Sequence, residues 1–242
     1  MEYNNYPDIN VFQEGAASLG LELTDLQLQQ FMDYYELLTE WNKVMNLTTI
    51  LEFKEVMQKH FIDSLSIVKV YGLAKQRILD VGTGAGFPGI PIKIVFPETD
   101  IVLMDSLNKR IHFLEEVIQR LGLKKITAVH GRAEEFAADN TYRECFDLCV
   151  SRAVAKLGTL SEYCLPYVKT GGYFIPYKSG KVEDELSKAT HAFNVLGAEL
   201  EGSNRFLLPG TDMERTLIKI HKIKKTPIQY PRAAGKPVKE PL

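Results

Sequence analysis

Ten residues, Asp80-Val81-Gly82-Thr83-Gly84-Ala85-Gly86-Phe87-Pro88-Gly89, concentrate the chemistry of this sequence. Glycines at 84, 86 and 89 fit the spacing GxGxxG, with Gly82 as an extra glycine ahead of them. Glycine lets the backbone turn tightly and lets a ligand come close, and a helix opening after the turn adds partial positive charge. That pattern alone would also suit NAD. Asp80 tilts the reading, because a carboxylate beside the glycines repels a pyrophosphate and suits a ligand carrying ammonium and sulfonium groups. Phe87-Pro88 and Pro91 crowd the helix start, leaving fewer free amides for phosphate. Asp105 follows 25 residues after Asp80 and can accept both hydroxyls of an adenosine ribose, which NAD and a methyl donor share. In Gly131-Arg132-Ala133-Glu134, a backbone amide could bond an adenine ring and the carboxylate could accept its amino group. Ser151-Arg152-Ala153-Val154 ends an apolar run, which puts Arg152 at the mouth of the crevice, able to hold a carboxylate or phosphate.

Other chemistries find little support. The five histidines are scattered singly, without the paired spacing of metal ligands, so no metal is expected. Cys145, Cys149 and Cys164 form neither a CxxC pair nor an even set, and read as small apolar residues. No Ser/His/Asp constellation points to hydrolysis. His60, near Asp63-Ser64, reads as a helix-surface or packing residue from sequence alone.

The elements that must position these residues follow from periodicity. Residues 1–72 look helical: Thr24-Asp25-Leu26-Gln27 has the form of a capping box, and Leu28, Phe31, Tyr35, Leu38 and Met45 recur at helical spacing. A second amphipathic run carries Phe53, Val56, Met57, Phe61 and Leu65, separated from the first by Asn46-Leu47-Thr48-Thr49. From residue 76, strands at 77–82, 100–106, 126–131, 146–154 and 171–179 alternate with helices at 88–96, 108–121, 156–167 and 181–196. Two late strands, 205–210 and 215–223, are joined by a turn too short for a crossover and must pair antiparallel. The expectation is an α/β fold: a doubly wound, mostly parallel seven-stranded sheet with an antiparallel last strand and an N-terminal helical extension. The dinucleotide fold has a parallel sixth strand, so this ending favours a methyltransferase over a dehydrogenase. The expected divisions are a helical extension at 1–72, a donor-binding domain at 73–225 and a basic tail at 226–242 that packs on the domain or contacts RNA. The tail's four prolines suggest a segment that is extended and mobile alone.

With 242 residues, 45% apolar and 25% charged, the chain is an ordinary globular one, long enough for a sizeable core. No apolar run approaches a membrane span, and the polar start MEYNNYPDIN is not a secretory signal, so a cytoplasmic protein is expected. The net charge is −2, yet from Arg215 onward eight Lys or Arg (Arg215, Lys219, Lys222, Lys224, Lys225, Arg232, Lys236, Lys239) face one acid, Glu240. A basic end on an acidic body suits a polyanion such as RNA.

Taken together, Asn46-Leu47-Thr48, His60-Phe61-Ile62-Asp63-Ser64-Leu65, the glycine turn through Ile92, Asp105-Ser106 with Lys109-Arg110, GRAE (131–134), SRAVA (151–155) and the ending YPRAAGKPVKEPL resemble the RsmG family, also called GidB. The resemblance runs from about residue 40 to the end. It implies a bacterial 16S rRNA methyltransferase that moves a methyl group from S-adenosylmethionine to N7 of a guanine in the 530 loop. It further implies that Gly82, Thr83, Gly84 and Phe87, with Asp80 and Gly86 in the same turn, form the donor pocket. Asp105 would hold the ribose, Ala133 and Glu134 would meet the adenine, and Arg152 would sit near donor and target as the candidate catalytic group. Asn46, His60, Lys109, Arg110, Arg232 and Lys236 would face RNA. A monomer acting on the small ribosomal subunit or its assembly intermediate is expected. Competing readings are an NAD-dependent oxidoreductase, an RNA-binding assembly factor that keeps a donor fold, and a methyltransferase for protein or small molecules. On the last, removing 226–242 would spare turnover, whereas rRNA turnover would be abolished.

Overall fold

The computed structural model describes residues 6, 8–137, 139–152 and 154–242. Residues 1–5 of the polar start and Ala153 of the SRAVA motif lie outside them. Helices α1 (Ile9–Ser18) and α2 (Asp25–Asn42) open the chain. The capping box at Thr24 forms as expected, the hydroxyl accepting from the Gln27 amide and the Gln27 side chain accepting from the Thr24 amide. Gln27 does more than cap: its Nε2 donates to the carbonyls of Ile94 and Val95 at 3.0 and 3.2 Å, closing the end of another helix.

The second amphipathic run is not a plain α-helix. It passes from α3 (Phe53–Val56) through a π turn (Met57–Ile62) into α4 (Asp63–Leu65) and a 3-10 turn (Ser66–Lys69). A π turn widens the coil by one residue and loosens carbonyls from the i→i−4 ladder, a device that often marks functional sites.

Seven strands follow: β1 (Arg77–Val81), β2 (Asp100–Asp105), β3 (Ile126–His130), β4 (Phe146–Arg152), β5 (Val168–Ser179), β6 (Ala198–Leu207) and β7 (Glu214–Lys222). Their spatial order is β3-β2-β1-β4-β5-β7-β6. β1 to β5 pair parallel, and β7 runs antiparallel to both β5 and β6. The expected mostly parallel sheet with a reversed last strand is therefore present. β6 starts seven residues earlier than the strand expected at 205, because an outermost strand has one solvated side and shows only a faint apolar alternation.

The period of two along each strand splits the core between two faces. Ile78, Ile101, Leu103, Leu148 and Val150 face α1, α2, α5 (Gly89–Val95) and α6 (Asn108–Arg120). Leu79, Val102, Met104, Cys149 and Phe174 face α7 (Ala133–Phe136), α8 (Leu157–Cys164) and α9 (Glu183–Leu196). The N-terminal helices thus cover one sheet face. Phe12, Phe31 and Phe61 are wholly buried between them, each ring contributing roughly 1.5–3 kcal/mol by burial. Tyr34 stacks on Phe61 at 5.3 Å, tilts against Phe87 at 5.5 Å, and donates its hydroxyl to the Ala85 carbonyl inside the glycine turn. The extension therefore underpins the loop that the sequence singles out.

The tail packs on α8 and ends in α10 (Lys236–Lys239), because Arg232 bonds a buried carboxylate and Arg143 takes the carbonyls of Thr226, Pro227 and Tyr230.

Tyr34→Phe should destabilise the protein by about 1–3 kcal/mol in denaturant titration, since it strands a buried carbonyl. A loss below a few tenths would show that the contact to Ala85 carries no weight.

Candidate active site

β1 delivers Asp80 to the floor of the glycine turn, where it has no exposure to solvent. Its Oδ2 accepts from the Thr83 hydroxyl at 2.7 Å and from the Gly89 amide at 2.8 Å, while Oδ1 has no partner. Burial pushes this carboxyl up to about 7, against the hydrogen bonds from Thr83 and Gly89. Asp80 therefore faces the loop rather than the pocket. Oδ2 is spent on organising the loop, and Asp80, expected beside the ligand, is not among the residues that line the cavity described next. Gly89 shows why that helix start needs glycine: a side chain there would collide with Leu103 and approach Asp80 Oδ2 to 2.9 Å. With its first amide spent on Asp80, α5 has little left for a phosphate.

A cavity of about 300 Å³ opens at the ends of β1, β2 and β3. Gly82, Asp105, Gly131, Ala133, Glu134 and Tyr163 are among the residues that line it. Asp105 accepts from the Gly84 amide through Oδ2 and from the Leu107 amide through Oδ1, each at 2.9 Å. Arg110, expected to face RNA, pairs with the same carboxylate at 3.2 Å and so braces the pocket. Glu134 accepts from the Gly235 amide at 3.3 Å, and together with burial its charge raises the Tyr163 hydroxyl. At Gly84 (φ +63°) an added side chain would meet nothing within 4 Å, leaving open space over the backbone. At Gly82 it would stand 2.5 Å from the Val154 side chain, which leans across the turn. Thr83 and Phe87 are buried behind the turn. Two acids set for hydroxyl and amino donors, beside bare glycine backbone, fit S-adenosylmethionine. Asp105 and Glu134 would hold its ribose and adenine, with Gly82 and Gly84 along its length.

A second cavity, of about 480 Å³, lies past the end of β4, with Lys59, His60, Asp63, Arg152, Lys178 and Arg215 in its wall. Asp63 is its hub: Oδ2 accepts from Arg152 at 3.0 Å and Oδ1 from Arg215 at 2.9 Å. Arg152 also donates to the Lys59 and His60 carbonyls at 3.2 and 3.5 Å, which belong to the π turn. Its guanidinium lies 5.0 Å over Phe87. His60 stacks on Phe87 at 4.5 Å. Since a guanidinium only donates, His60 Nδ1 must accept from Arg152, leaving Nε2–H to donate to the Thr48 hydroxyl at 2.9 Å. Burial, then Arg152, lowers His60 to about 3, so it stays neutral. The structure thus brings Arg152 and His60 together in this second cavity, past the end of β4. Neither lines the first cavity, and His60 does not project outward.

The basic end is less free than its sequence suggests. Lys222 is wholly buried, donating to the Leu165 and Val168 carbonyls and the Thr226 hydroxyl. Arg215 holds Asp63, Lys219 pairs with Glu201 and Arg232 with Glu162. Asn46, Lys109, Lys224, Lys225, Lys236 and Lys239 remain exposed. Sequence reasoning missed Asp63, Lys178, Arg215 and Tyr163 as cavity residues. It also missed Glu162, an acid wholly buried on α8. Among the described residues no group of His, Cys, Asp or Glu is arranged to hold a metal, and no helix is long and apolar enough to cross a membrane.

The strand order, the reversed β7 and an acid-lined cavity at the glycine turn define a class I methyltransferase fold. Solved structures share it: TrmN from Thermus thermophilus superposes with a TM-score of 0.52 at 16% identity, over 67% of this chain and 48% of that one. TYW2 from M. jannaschii, solved in complex with AdoMet, gives 0.50 at 14% identity, over 62% of this chain and 70% of that one. Such likeness concerns the fold alone. In sequence, the family described as rRNA small subunit methyltransferase G matches residues 27–211. A protein named Ribosomal RNA small subunit methyltransferase G from Lachnoclostridium phytofermentans is 60% identical over 236 residues, 97% of this chain and 98% of that one. A protein of the same name from Alkaliphilus metalliredigens is 48% identical over 233 residues, 96% of this chain and 98% of its own. The chain belongs to the rRNA small subunit methyltransferase G family and is a methyltransferase.

The raised Asp80 carboxyl has a pH signature. Folding favours its protonated form, so its contribution is greatest below about pH 4 and falls as pH rises through about 7. Asp80→Asn removes that dependence. Its Tm relative to the parent protein should therefore become more favourable from pH 5 to pH 8. A difference that does not change with pH would contradict the assignment.

Proposed function

We propose that this enzyme transfers a methyl group from S-adenosylmethionine to N7 of a guanine in the 530 loop of 16S rRNA, acting in the cytoplasm. The observation that carries the reading is the presence of two cavities, one at the ends of β1 to β3 lined by acids and glycine backbone, the other past the end of β4 and rich in cations. The first suits the donor and the second a nucleotide with its phosphate. The family membership supplies the rRNA.

When bound, the donor supplies a methyl carbon on a sulfonium, and transfer breaks that C–S bond as the N7–C bond forms. N7 has a lone pair and no proton, so the protein needs no general base. Its task is positioning to about 3–3.5 Å in a site shielded from water. Asp105 and Glu134 fix one partner. In the second cavity Arg152, held by Asp63 and the π-turn carbonyls, is a rigid edge against which the base can settle. Arg152 is a positioning residue here, bonded to a neutral His60, with both over the Phe87 ring. The target must leave its stack to enter, as bases do in other base-modifying enzymes. Exposed Lys109, Lys236 and Lys239 would meet phosphates, with Asn46 on the same task.

Radiolabelled S-adenosylmethionine and small subunits from cells lacking the gene provide the test. Label should map to a single guanine and disappear with Glu134→Ala or Gly84→Val. Measurable donor binding without label in naked, intermediate or mature particles would overturn the acceptor. Activity should also drop at least tenfold between 50 and 300 mM salt, because phosphate contacts release counterions, on the order of 0.7 to 0.9 per contact. A flat response would remove the exposed lysines from the RNA interface.

A further inference from the structure

The tail reaches the donor cavity rather than only the RNA side. Glu162 on α8 has no solvent exposure, and Arg232 saturates it. The Arg232 amide and Nε reach Oε1 at 2.8 and 2.9 Å, and a terminal nitrogen reaches Oε2 at 2.6 Å. Such a charge-assisted, multidentate pair fixes direction as well as proximity. The same guanidinium donates to the Glu240 carbonyl at 2.8 Å, pinning the far end of α10. The Thr159 hydroxyl donates to the Pro237 carbonyl at 3.0 Å, so α8 grips the tail at a second point. Between these two grips lies Gly235 (φ +82°), whose amide donates to Glu134 Oε1. The next residue on α8 after Glu162 is Tyr163, which lines the donor cavity and faces the same Glu134 carboxylate.

We propose that residues 232–240 form a strap that completes the donor site: Arg232, by clamping Glu162, holds the Gly235 amide on Glu134 and fixes the acid that meets the adenine. Arg232 is thus a positioning residue for the donor, not a phosphate ligand. The inference rests on the donor-pocket reading and is independent of which acceptor receives the methyl group. A free Glu134 side chain must lose rotamer freedom when it binds, and the strap removes that freedom beforehand. The coupling is reciprocal, so a bound donor tightens the strap. Loss of the tail would then harm turnover of any acceptor, small or large, contrary to the expectation from sequence.

The full-length protein and its Arg232→Ala variant are compared by calorimetric titration with S-adenosylmethionine and with S-adenosylhomocysteine, and by filter binding of 16S rRNA without donor. The strap predicts about tenfold weaker donor binding, rRNA binding within twofold, and a raised donor KM with kcat restored at saturating donor. Unchanged donor affinity, or a loss confined to rRNA binding, overturns it. Should Arg232→Ala fold poorly, hydrogen exchange on the parent protein decides: the amides of Gly235, Lys236, Val238 and Lys239 must gain protection when S-adenosylhomocysteine saturates. No gain overturns the strap. A parent protein that binds no donor at all would instead overturn the donor-pocket reading itself.

Discussion

A carboxylate shut away from water is costly unless something polar is spent on it, and Asp80 is such a group. One of its oxygens draws the hydroxyl of Thr83 and the amide of Gly89 toward the end of β1, which folds the glycine turn back on itself. The turn then carries Gly84 to the Asp105 carboxylate and Ala85 to the Tyr34 hydroxyl. The first contact shapes the acid-lined cavity from the sheet side. The second seats the N-terminal helices, whose Phe61 and Tyr34 pack on Phe87, and Phe87 in turn lies beneath His60 and Arg152. Both cavities depend on how that one buried acid is satisfied.

The same logic separates this turn from a phosphate loop with similar glycine spacing. A phosphate loop leaves its helix amides pointing into space for the ligand. Here the first amide of α5 points at a carboxylate. What remains is a wall of acids and bare backbone, suited to hydroxyl, amino and cationic groups. Recognition is thus decided by one residue beneath the motif more than by the motif.

Much of this was legible in the sequence. The alternation of strands and helices gave the parallel sheet, the short connection between the last two strands gave the reversal, and Asp105, Gly131, Ala133 and Glu134 do converge on one cavity. Local periodicity could not reveal groups that meet only in three dimensions. The π turn at Met57–Ile62 reads as an ordinary amphipathic helix, since its apolar residues keep helical spacing. Nor can charge counting tell a solvated lysine from Lys222, which three oxygens stabilise inside the protein, or from Arg232 on Glu162. A cluster of cations in sequence is an inventory of positive charge, and the fold decides how much of it is left for a partner.

The hub at Asp63 bears on the order in which the molecule assembles. Its two arginines stand 89 and 152 positions further along the chain. Contacts of such separation close late, after the local βαβ units have formed, because the entropy of long loops must be met before they reward it. The residues lining the first cavity, by contrast, all lie between Val81 and Tyr163, and β7 supplies none of them. A chain loosened at β7 would therefore keep the lining of the first cavity while the second lost Arg215. The two cavities can thus be undone separately.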